Sequence, residues 1–206
     1  MPNIYHITHI ENLPSILEHR GLWCDGEAAR HDLCEVGIAY DHLKERRTHH
    51  PVPVGPGGVL ADYVPFYFAP RSPMLYVIHR GAVPRYQRGQ EEVLHLVSST
   101  ERIEEQRLPF AFTDGHAVIK LSRFFDRLDD LEQIDWPLME DQFWKDTDED
   151  QDRRRRRQAE FLVHRFLPVT CLLGIGTMTE AMTQRVLEIL GSDSGLKVRT
   201  RRQWYY

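Results

Sequence analysis

The sequence contains little cysteine and no long apolar run. Its three cysteines, Cys24, Cys34 and Cys171, are odd in number and form no Cys-x-x-Cys pair, so neither a disulfide framework nor a zinc site is predicted. No stretch is as long as a membrane span, and polar residues occupy positions 1–20, where a signal peptide needs an apolar core. We therefore expect a cytoplasmic protein that works without a metal ion.

The chain also lacks a general excess of basic residues. Its formal net charge is -5 over 206 residues, which argues against a protein that coats nucleic acid. Acidic residues crowd positions 126–152, whereas arginines collect at 153–157 and 199–202, so a local basic path for phosphates remains possible. The length and a hydrophobic content of 41% predict one globular domain, residues 1–206.

The most informative stretch is DRRRRRQAEFLVHR, residues 152–165. Glu160 begins an apolar run that predicts a buried strand, and Gln158 lies two residues earlier, on the same face of such a strand. A buried carboxylate is costly unless it has a partner or a function. One interpretation is a solvated charge run, with Glu160 paired to one of the arginines at the surface. The other is a functional carboxylate at the mouth of a core strand.

The triplet Gln158-Ala159-Glu160 resembles the [Gln/Glu]-x-Glu signature of ADP-ribosyltransferases. The resemblance implies that Glu160 holds the ribose 2′-hydroxyl of NAD and that Gln158 orients the acceptor. Breaking the bond to nicotinamide leaves positive charge on C1′ and the ring oxygen of the ribose, and a carboxylate stabilises that charge.

The N-terminal segment predicts a strand, NIYHIT, followed by a helix over 11–19 that Gly21 closes as a C-cap. His6 alone is most simply a strand histidine with a satisfied hydrogen bond. However, His6-x-Thr8 followed by a helix and Gly21-Leu22 resembles the first NAD-binding strand of ADP-ribosyltransferases of the diphtheria-toxin and poly(ADP-ribose) polymerase type. The resemblance implies that these four residues bind NAD.

The segment 43–79 carries the longest motifs. KERR, PVPVGPGG and DYVPFYFAPRSPMLYVIH resemble the DarT family, toxins that ADP-ribosylate DNA. In that family the last block is a strand and then a helix that begins at Ser72 or Pro73. Tyr67 or Tyr76 is a candidate to stack on the cationic nicotinamide ring, although each tyrosine alone is better explained as a core residue.

KERR supplies the basic catalytic candidates. An arginine near a thymine acceptor would polarise the carbonyls of the base and favour loss of the N3 proton. Arg47 is the candidate and Arg46 its alternative, because the sequence does not decide which of them points inward. The competing interpretation of this segment is a solvated helix face.

The family resemblance implies thymine as the acceptor. Because N3 lies on the Watson–Crick edge, the base must be in single-stranded DNA or be extruded. Trp144, Arg154 and Arg155 predict a path for the strand, with bases on rings and phosphates on arginines. FTDGHA also resembles the family, and His116 is a further candidate contact, although Asp114 and His116 are expected to be exposed turn residues.

Other segments give local expectations only. Residues 93–97 predict a strand, 124–131 a helix, 169–174 a short strand and 179–190 an amphipathic helix. Residues 197–206 predict a terminal strand with a basic face.

The resemblance implies an α+β fold of the ADP-ribosyltransferase type, a split and mostly antiparallel β core with surrounding short helices and an NAD cleft. The predicted function is transfer of ADP-ribose from NAD, a co-substrate, to N3 of thymine in single-stranded DNA with some sequence preference. The partner implied by the family is a macrodomain antitoxin, DarG. Two alternatives stay open, an acceptor of RNA or protein in the same cleft, and a catalytically inactive nucleic-acid-binding module.

Overall fold

The computed structural model describes residues 1–192 and 194–206, which contain ten strands, eight α-helices and five 3₁₀ helices. The strands are Asn3–His9 (β1), Gly21–Trp23 (β2), Tyr63–Tyr67 (β3), Val93–Ser99 (β4), Phe110–Thr113 (β5), Phe124–Phe125 (β6), Glu160–His164 (β7), Phe166–Pro168 (β8), Gly174–Thr177 (β9) and Lys197–Thr200 (β10). The α-helices are Leu13–Glu18 (α1), Asp25–Arg30 (α2), Asp41–His49 (α3), Pro73–His79 (α4), Thr100–Glu105 (α5), Trp136–Glu140 (α6), Arg153–Arg156 (α7) and Glu180–Leu190 (α8). The 3₁₀ helices are Ile10–Asn12, Leu60–Asp62, Leu128–Gln133, Val169–Cys171 and Arg202–Trp204.

Eight strands form one sheet in the order β10-β9-β4-β1-β3-β7-β5-β6, and β2 pairs with β8 in a separate ribbon. Neighbouring strands are antiparallel, except for the parallel pair β9 and β10. β1 pairs with β4 from Asn3 to His9, but it meets β3 where Tyr5 lies opposite Tyr67. The sheet therefore opens between β1 and β3. The predicted α+β fold with a split, mostly antiparallel core is confirmed.

β7 carries the catalytic candidate and lies between β3 and β5. Its residues 161–163 are fully buried, and Phe161 stacks on Phe110 with ring centroids 5.0 Å apart. Burying an apolar side chain of this size contributes about 1.5–3 kcal/mol to folding. Packing of the strand behind it therefore holds Glu160 in a defined position.

Several predicted elements are confirmed. The strand over 93–97 is β4, and the amphipathic helix over 179–190 is α8. Helix α4 begins as predicted, because the hydroxyl of Ser72 accepts a hydrogen bond from the N–H of Leu75 at 3.2 Å and Pro73, which has no N–H, opens the first turn.

The prediction that Gly21 caps the first helix is wrong. Helix α1 ends at Glu18, and Arg20 takes the left-handed conformation, with a φ of 58°. Gly21 instead begins β2, where an added Cβ would overlap the carbonyl of Leu167 and the ring of Phe166. The glycine is needed because β8 approaches so closely.

The predictions for 124–131 and 169–174 are also wrong. Phe124–Phe125 pairs with β5 as β6 because the ring of Phe125 stacks on Phe112 at 5.2 Å, and a 3₁₀ helix follows. Val169–Cys171 is a 3₁₀ helix that precedes β9. The terminal strand over 197–206 ends at Thr200. Within residues 1–192 and 194–206, no helix has the length and hydropathy needed to cross a bilayer.

Candidate active site

Glu160 is the first residue of β7, and 4% of it is exposed. Its Oε2 accepts a hydrogen bond from Nη1 of Arg47 at 2.7 Å. Its Oε1 accepts one from the backbone N–H of Ala117 at 3.1 Å and lies 3.3 Å from Nδ1 of His116. Its own N–H donates to Oγ1 of Thr113 at 3.2 Å. The carboxylate is therefore held by helix α3 and by the loop after β5.

These surroundings keep Glu160 ionised. Burial alone would raise its pKa, but the guanidinium of Arg47 and the contact with His116 outweigh burial and lower the pKa to about 2. The side chain is thus a carboxylate at neutral pH. The interpretation that Glu160 pairs with the run 153–157 at the surface is wrong, since its ionic partner comes from helix α3 and the pair is buried.

Helix α3 carries both arginine candidates in its last turn, where basic residues suit the negative end of the helix dipole. Arg47 is 8% exposed and reaches Glu160. Its Nε lies 3.9 Å from Oδ2 of Asp25 and has no hydrogen-bond partner in the described part of the chain. Arg46 is exposed and donates to the carbonyl of Val118 at 3.2 Å. The structure therefore brings Arg47, and not Arg46, to the carboxylate.

Two cavities meet beside this ion pair. The larger, of about 320 Å³, lies against β1, β2 and α2, and the smaller, of about 180 Å³, reaches Glu160, Arg47 and Tyr67. Six residues line both cavities, namely His6, Thr8, Asn12, Asp25, Cys34 and Lys44. The two cavities thus adjoin along these residues at the opening of the sheet, and we call the pair the active-site cleft.

The four NAD-binding candidates from the N-terminal segment line this cleft. His6 and Thr8 lie on its shared wall, and Gly21 and Leu22 line the larger cavity. Nδ1 of His6 is 2.8 Å from the carbonyl of Pro65, which can only accept, so Nδ1 carries the proton and Nε2 remains an acceptor. Burial lowers the pKa of His6, so the ring is neutral at neutral pH.

Of the two tyrosine candidates, Tyr67 lies at the cleft. It is opposite Glu160 in the register of β3 and β7, and burial, with the nearby carboxylate, raises the pKa of its phenol. Tyr76 belongs instead to an aromatic cluster, with ring centroids 5.7 Å from Trp144 and 5.1 Å from Tyr206. It is not among the described residues that line the cleft.

Asn12 is a site residue that the sequence did not reveal. Its Nδ2 donates to the carbonyl of Val36 at 2.9 Å, and its Oδ1 accepts from the N–H of Val36 at 2.9 Å. These bonds tie the segment 33–39 across the cleft, where several of its residues form the wall. An asparagine directly before Leu13-Pro14 is typical of an N-cap, and no local pattern indicates a partner 24 residues away.

Four arginines of the run 153–157 have ionic partners within the protein. Their ion pairs are Arg153–Asp141, Arg154–Asp146, Arg155–Asp114, Arg155–Asp152, Arg156–Asp135 and Arg156–Asp150. The side chain of Arg155 is 11% exposed, so it lacks the surface that a DNA contact needs, whereas Arg154 is 62% exposed. Five aspartates of the acidic segment before the run are thus paired with it, namely Asp135, Asp141, Asp146, Asp150 and Asp152.

The other predicted acceptor contacts lie apart from the carboxylate. Gln158 sits in the turn before β7, and its Nε2 donates to the carbonyl of Arg154 at 2.9 Å, so it is not on a strand face with Glu160. Nε1 of Trp144 donates to the hydroxyl of Tyr206 at 3.1 Å.

The prediction that Asp114 and His116 are exposed is wrong. Asp114 is buried and accepts from Nε of Arg123 at 2.8 Å and from Nη1 of Arg155 at 3.0 Å. His116 lies against Glu160. A turn signal such as Asp-Gly predicts the bend but cannot show what packs on it.

The cleft fits NAD as a substrate. It offers apolar wall for a planar base, an ionised carboxylate for ribose hydroxyls and an unpartnered buried N–H on Arg47. Among residues 1–192 and 194–206, no group of three His, Cys, Asp or Glu side chains is placed to hold a metal ion.

The chain resembles known proteins over nearly its whole length. Residues 5–206 match the family described as "ssDNA thymidine ADP-ribosyltransferase, DarT". A DNA ADP-ribosyl transferase of Thermus sp. (strain 2.9) is 44% identical over 206 residues, covering 98% of this chain and 95% of that protein. The fold is similar to Thermus sp. 2.9 DarT in complex with ADP-ribosylated ssDNA, with a TM-score of 0.91 and 43% identity over 99% of this chain and 96% of that one. The NAD+ complex of Thermus sp. 2.9 DarT gives a TM-score of 0.88 and 41% identity, over 99% and 97% of the two chains.

Proposed function

This chain belongs to the DarT family of ssDNA thymidine ADP-ribosyltransferases, and on that premise we propose that Glu160 is the carboxylate that promotes its transfer reaction. The protein is an NAD-dependent DNA ADP-ribosyltransferase that modifies thymidine in single-stranded DNA. The observation that carries the proposal for Glu160 is its position, ionised and buried, at the inner end of the active-site cleft.

Transfer breaks the bond between ribose C1′ and the nicotinamide nitrogen, which releases neutral nicotinamide, and forms a bond between C1′ and N3 of thymine, whose proton passes to solvent water. Glu160 accepts a hydrogen bond from the ribose 2′-hydroxyl, and its charge stabilises the positive charge that develops at C1′. The low dielectric of the buried site strengthens this interaction. His6, Thr8, Gly21 and Leu22 hold the dinucleotide along the wall, and Tyr67 stacks on the nicotinamide ring.

Arg47 has two roles in this proposal. Its Nη1 holds Oε2 of Glu160 in place. Arg47 is 8% exposed and lines the cleft, where its positive charge polarises the thymine carbonyls and favours release of the N3 proton. Because that proton takes part in base pairing, the acceptor must be unpaired. Among the predicted DNA contacts, His116 at the cleft and the exposed Arg154 are the best placed.

Family membership also supports three broader proposals. The chain is a single ADP-ribosyltransferase domain over residues 1–206, it acts as a toxin in the cytoplasm where its DNA substrate lies, and a macrodomain antitoxin of the DarG type opposes it by removing ADP-ribose from DNA. Incubating a modified oligonucleotide with a purified macrodomain tests the last proposal, and persistence of the ADP-ribose mass would contradict it.

The central experiment is mass analysis of an oligonucleotide with a single thymidine after incubation with NAD. We expect the mass of one ADP-ribose on the single strand, none on the strand annealed to its complement and none with Glu160→Gln. Parallel reactions with RNA and with protein address the alternative acceptors, since label on either of those alone would overturn the DNA assignment. Binding without any nicotinamide release would instead indicate an inactive nucleic-acid-binding module.

A further inference from the structure

The loop after β5 supplies two of the groups that contact Glu160. The backbone N–H of Ala117 donates to Oε1 at 3.1 Å, and Nδ1 of His116 lies 3.3 Å from the same oxygen. A loop has no ladder of hydrogen bonds to hold such donors in place. Something else must therefore fix its position to within a few tenths of an ångström, as catalysis requires.

Arg155 holds this loop in place through hydrogen bonds of both its backbone and its side chain. Its carbonyl accepts from the N–H of His116 at 2.9 Å. Its Nη1 donates to Oδ1 of Asp114 at 3.0 Å and to Oγ of Ser122 at 3.2 Å, and Ser122 in turn donates to the carbonyl of His116 at 2.8 Å. Gly115 is a glycine because a Cβ there would overlap the guanidinium.

The guanidinium is itself held rigidly. Nε and Nη2 donate to the two carboxylate oxygens of Asp152, each at 2.7 Å, which is a bidentate pair. Asp152 directly precedes helix α7, and β7 begins four residues after that helix. Arg155 thus connects the loop to the same stretch of chain that delivers Glu160, so the carboxylate and its donors keep one geometry.

We propose that Arg155 is a positioning residue for the transfer reaction, which holds the Asp114–Ala117 loop so that the donors of Ala117 and His116 stay on Oε1 of Glu160. This role rests on the proposed function, because it requires Glu160 to be the catalytic carboxylate. It differs from the DNA contact predicted for Arg155, since the side chain is 11% exposed and bonds to Asp114, Asp152 and Ser122 use four of its five N–H donors.

The test compares Arg155→Met with Arg127→Met, an arginine that is 72% exposed and pairs with Asp129 at 2.9 Å. For Arg155→Met we expect kcat to fall about 10²-fold, the cost of misplacing a catalytic group by about 1 Å, while KM for NAD and for the oligonucleotide stays within about twofold. Arg155→Lys should recover part of kcat because lysine keeps the positive charge. Recovery should be incomplete because lysine lacks the planar guanidinium that bonds Asp152 at two points. Arg127→Met should leave kcat unchanged.

A spectroscopic measurement separates positioning from general stability. The amide proton of Ala117, bonded to a carboxylate, should shift upfield in the NMR spectrum of Arg155→Met and stay in place in that of Arg127→Met. If Arg155→Met does not fold, Ser122→Ala removes the bridge from Arg155 to His116 more gently and should show the same kcat loss and the same shift.

Unchanged kcat in either folded variant, or a rise in KM for DNA with kcat intact, overturns the proposal. Full activity of Glu160→Gln would overturn the proposed function itself, whereas an inactive Glu160→Gln beside a fully active Arg155→Met defeats the positioning role alone.

Discussion

Arg47 and Glu160 lie 113 positions apart in the chain, yet Nη1 of the arginine is 2.7 Å from Oε2 of the glutamate. The pair joins helix α3 to strand β7 at the inner end of the active-site cleft. A buried pair of this kind contributes little net stability when intact, but it is costly to break because the remaining charge is stranded. Its placement beside a cavity is what distinguishes it from a structural ion pair.

Glu160→Gln tests the carboxylate with little change in shape. Since the variant removes the charge that stabilises the developing positive charge at C1′, we expect the transfer rate to fall by about 10²–10³-fold or more. NAD binding, measured by calorimetry, should persist. Gln158→Ala is the matched control, because that side chain bonds to the carbonyl of Arg154 instead of facing the cleft. If Glu160→Gln kept normal activity, the proposed role of Glu160 in stabilising the charge at C1′ would be wrong.

Arg47→Ala leaves the carboxylate buried without its guanidinium. We expect the free energy of unfolding to drop by about 3–5 kcal/mol, which is typical when one partner of a buried pair is deleted. In the fraction that folds, the rate of ADP-ribose transfer should fall by a larger factor than the affinity for NAD. An equal loss in both quantities would indicate that Arg47 only anchors a phosphate. Urea denaturation and single-turnover kinetics provide the two measurements.

Acidification should destabilise the protein through Glu160. Its pKa in the folded state is about 2, below the ordinary 4.5, because Arg47 and His116 outweigh burial. A depressed folded pKa contributes stability that is fully present above the ordinary value and is lost as pH falls toward about 2. Between these limits, the urea midpoint of the natural protein should fall more steeply than that of Glu160→Gln. Parallel curves would show that Glu160 is not held as an ion in the folded state.

The sequence predicts the position of Glu160 well because the signal is local. A carboxylate that opens a run of strand-forming apolar residues marks the start of a core strand, and β7 begins at that residue. Ser72-Pro73 likewise marks the start of α4. Which arginine of α3 points inward is not local information. DHLKERRTH is polar except for Leu43, so no apolar stripe indicates its buried face.

For the arginine run, the local sequence gives a misleading signal. Five consecutive cations indicate a solvated surface when only the neighbours in sequence are considered. In the structure the acidic segment 135–152 folds back on the run and pairs with it, and Arg155 also reaches Asp114. Pairing of this kind depends on tertiary contacts, and a sequence reports only that both charges exist.

Asn12→Ala should weaken NAD binding by loosening the wall of the cleft. The substitution leaves the N–H and carbonyl of Val36 without the bonds that tie the segment 33–39 across the cavity. Losing such bonds costs about 1–1.5 kcal/mol, or up to about tenfold in affinity. We expect KM for NAD to rise and kcat to change little. Asn3→Ala, an exposed residue at the start of β1, is the control, and an unchanged KM in Asn12→Ala would contradict a role for this tie.

Arg46→Ala should weaken DNA binding without affecting chemistry. Arg46 is exposed and contacts the carbonyl of Val118, a residue that lines the cleft beside Glu160, so we expect its charge to attract an acceptor strand that enters the cleft. Loss of one phosphate contact should lower the slope of log affinity against log salt by about 0.7 for a single strand. Arg102→Ala, which removes from α5 an arginine whose side chain is 39% exposed, should leave the slope unchanged. Fluorescence anisotropy with a labelled oligonucleotide measures both variants. If Arg46→Ala instead lowers kcat with normal DNA affinity, then Arg46 takes part in the reaction and the division of roles between the two arginines of α3 has to be reversed.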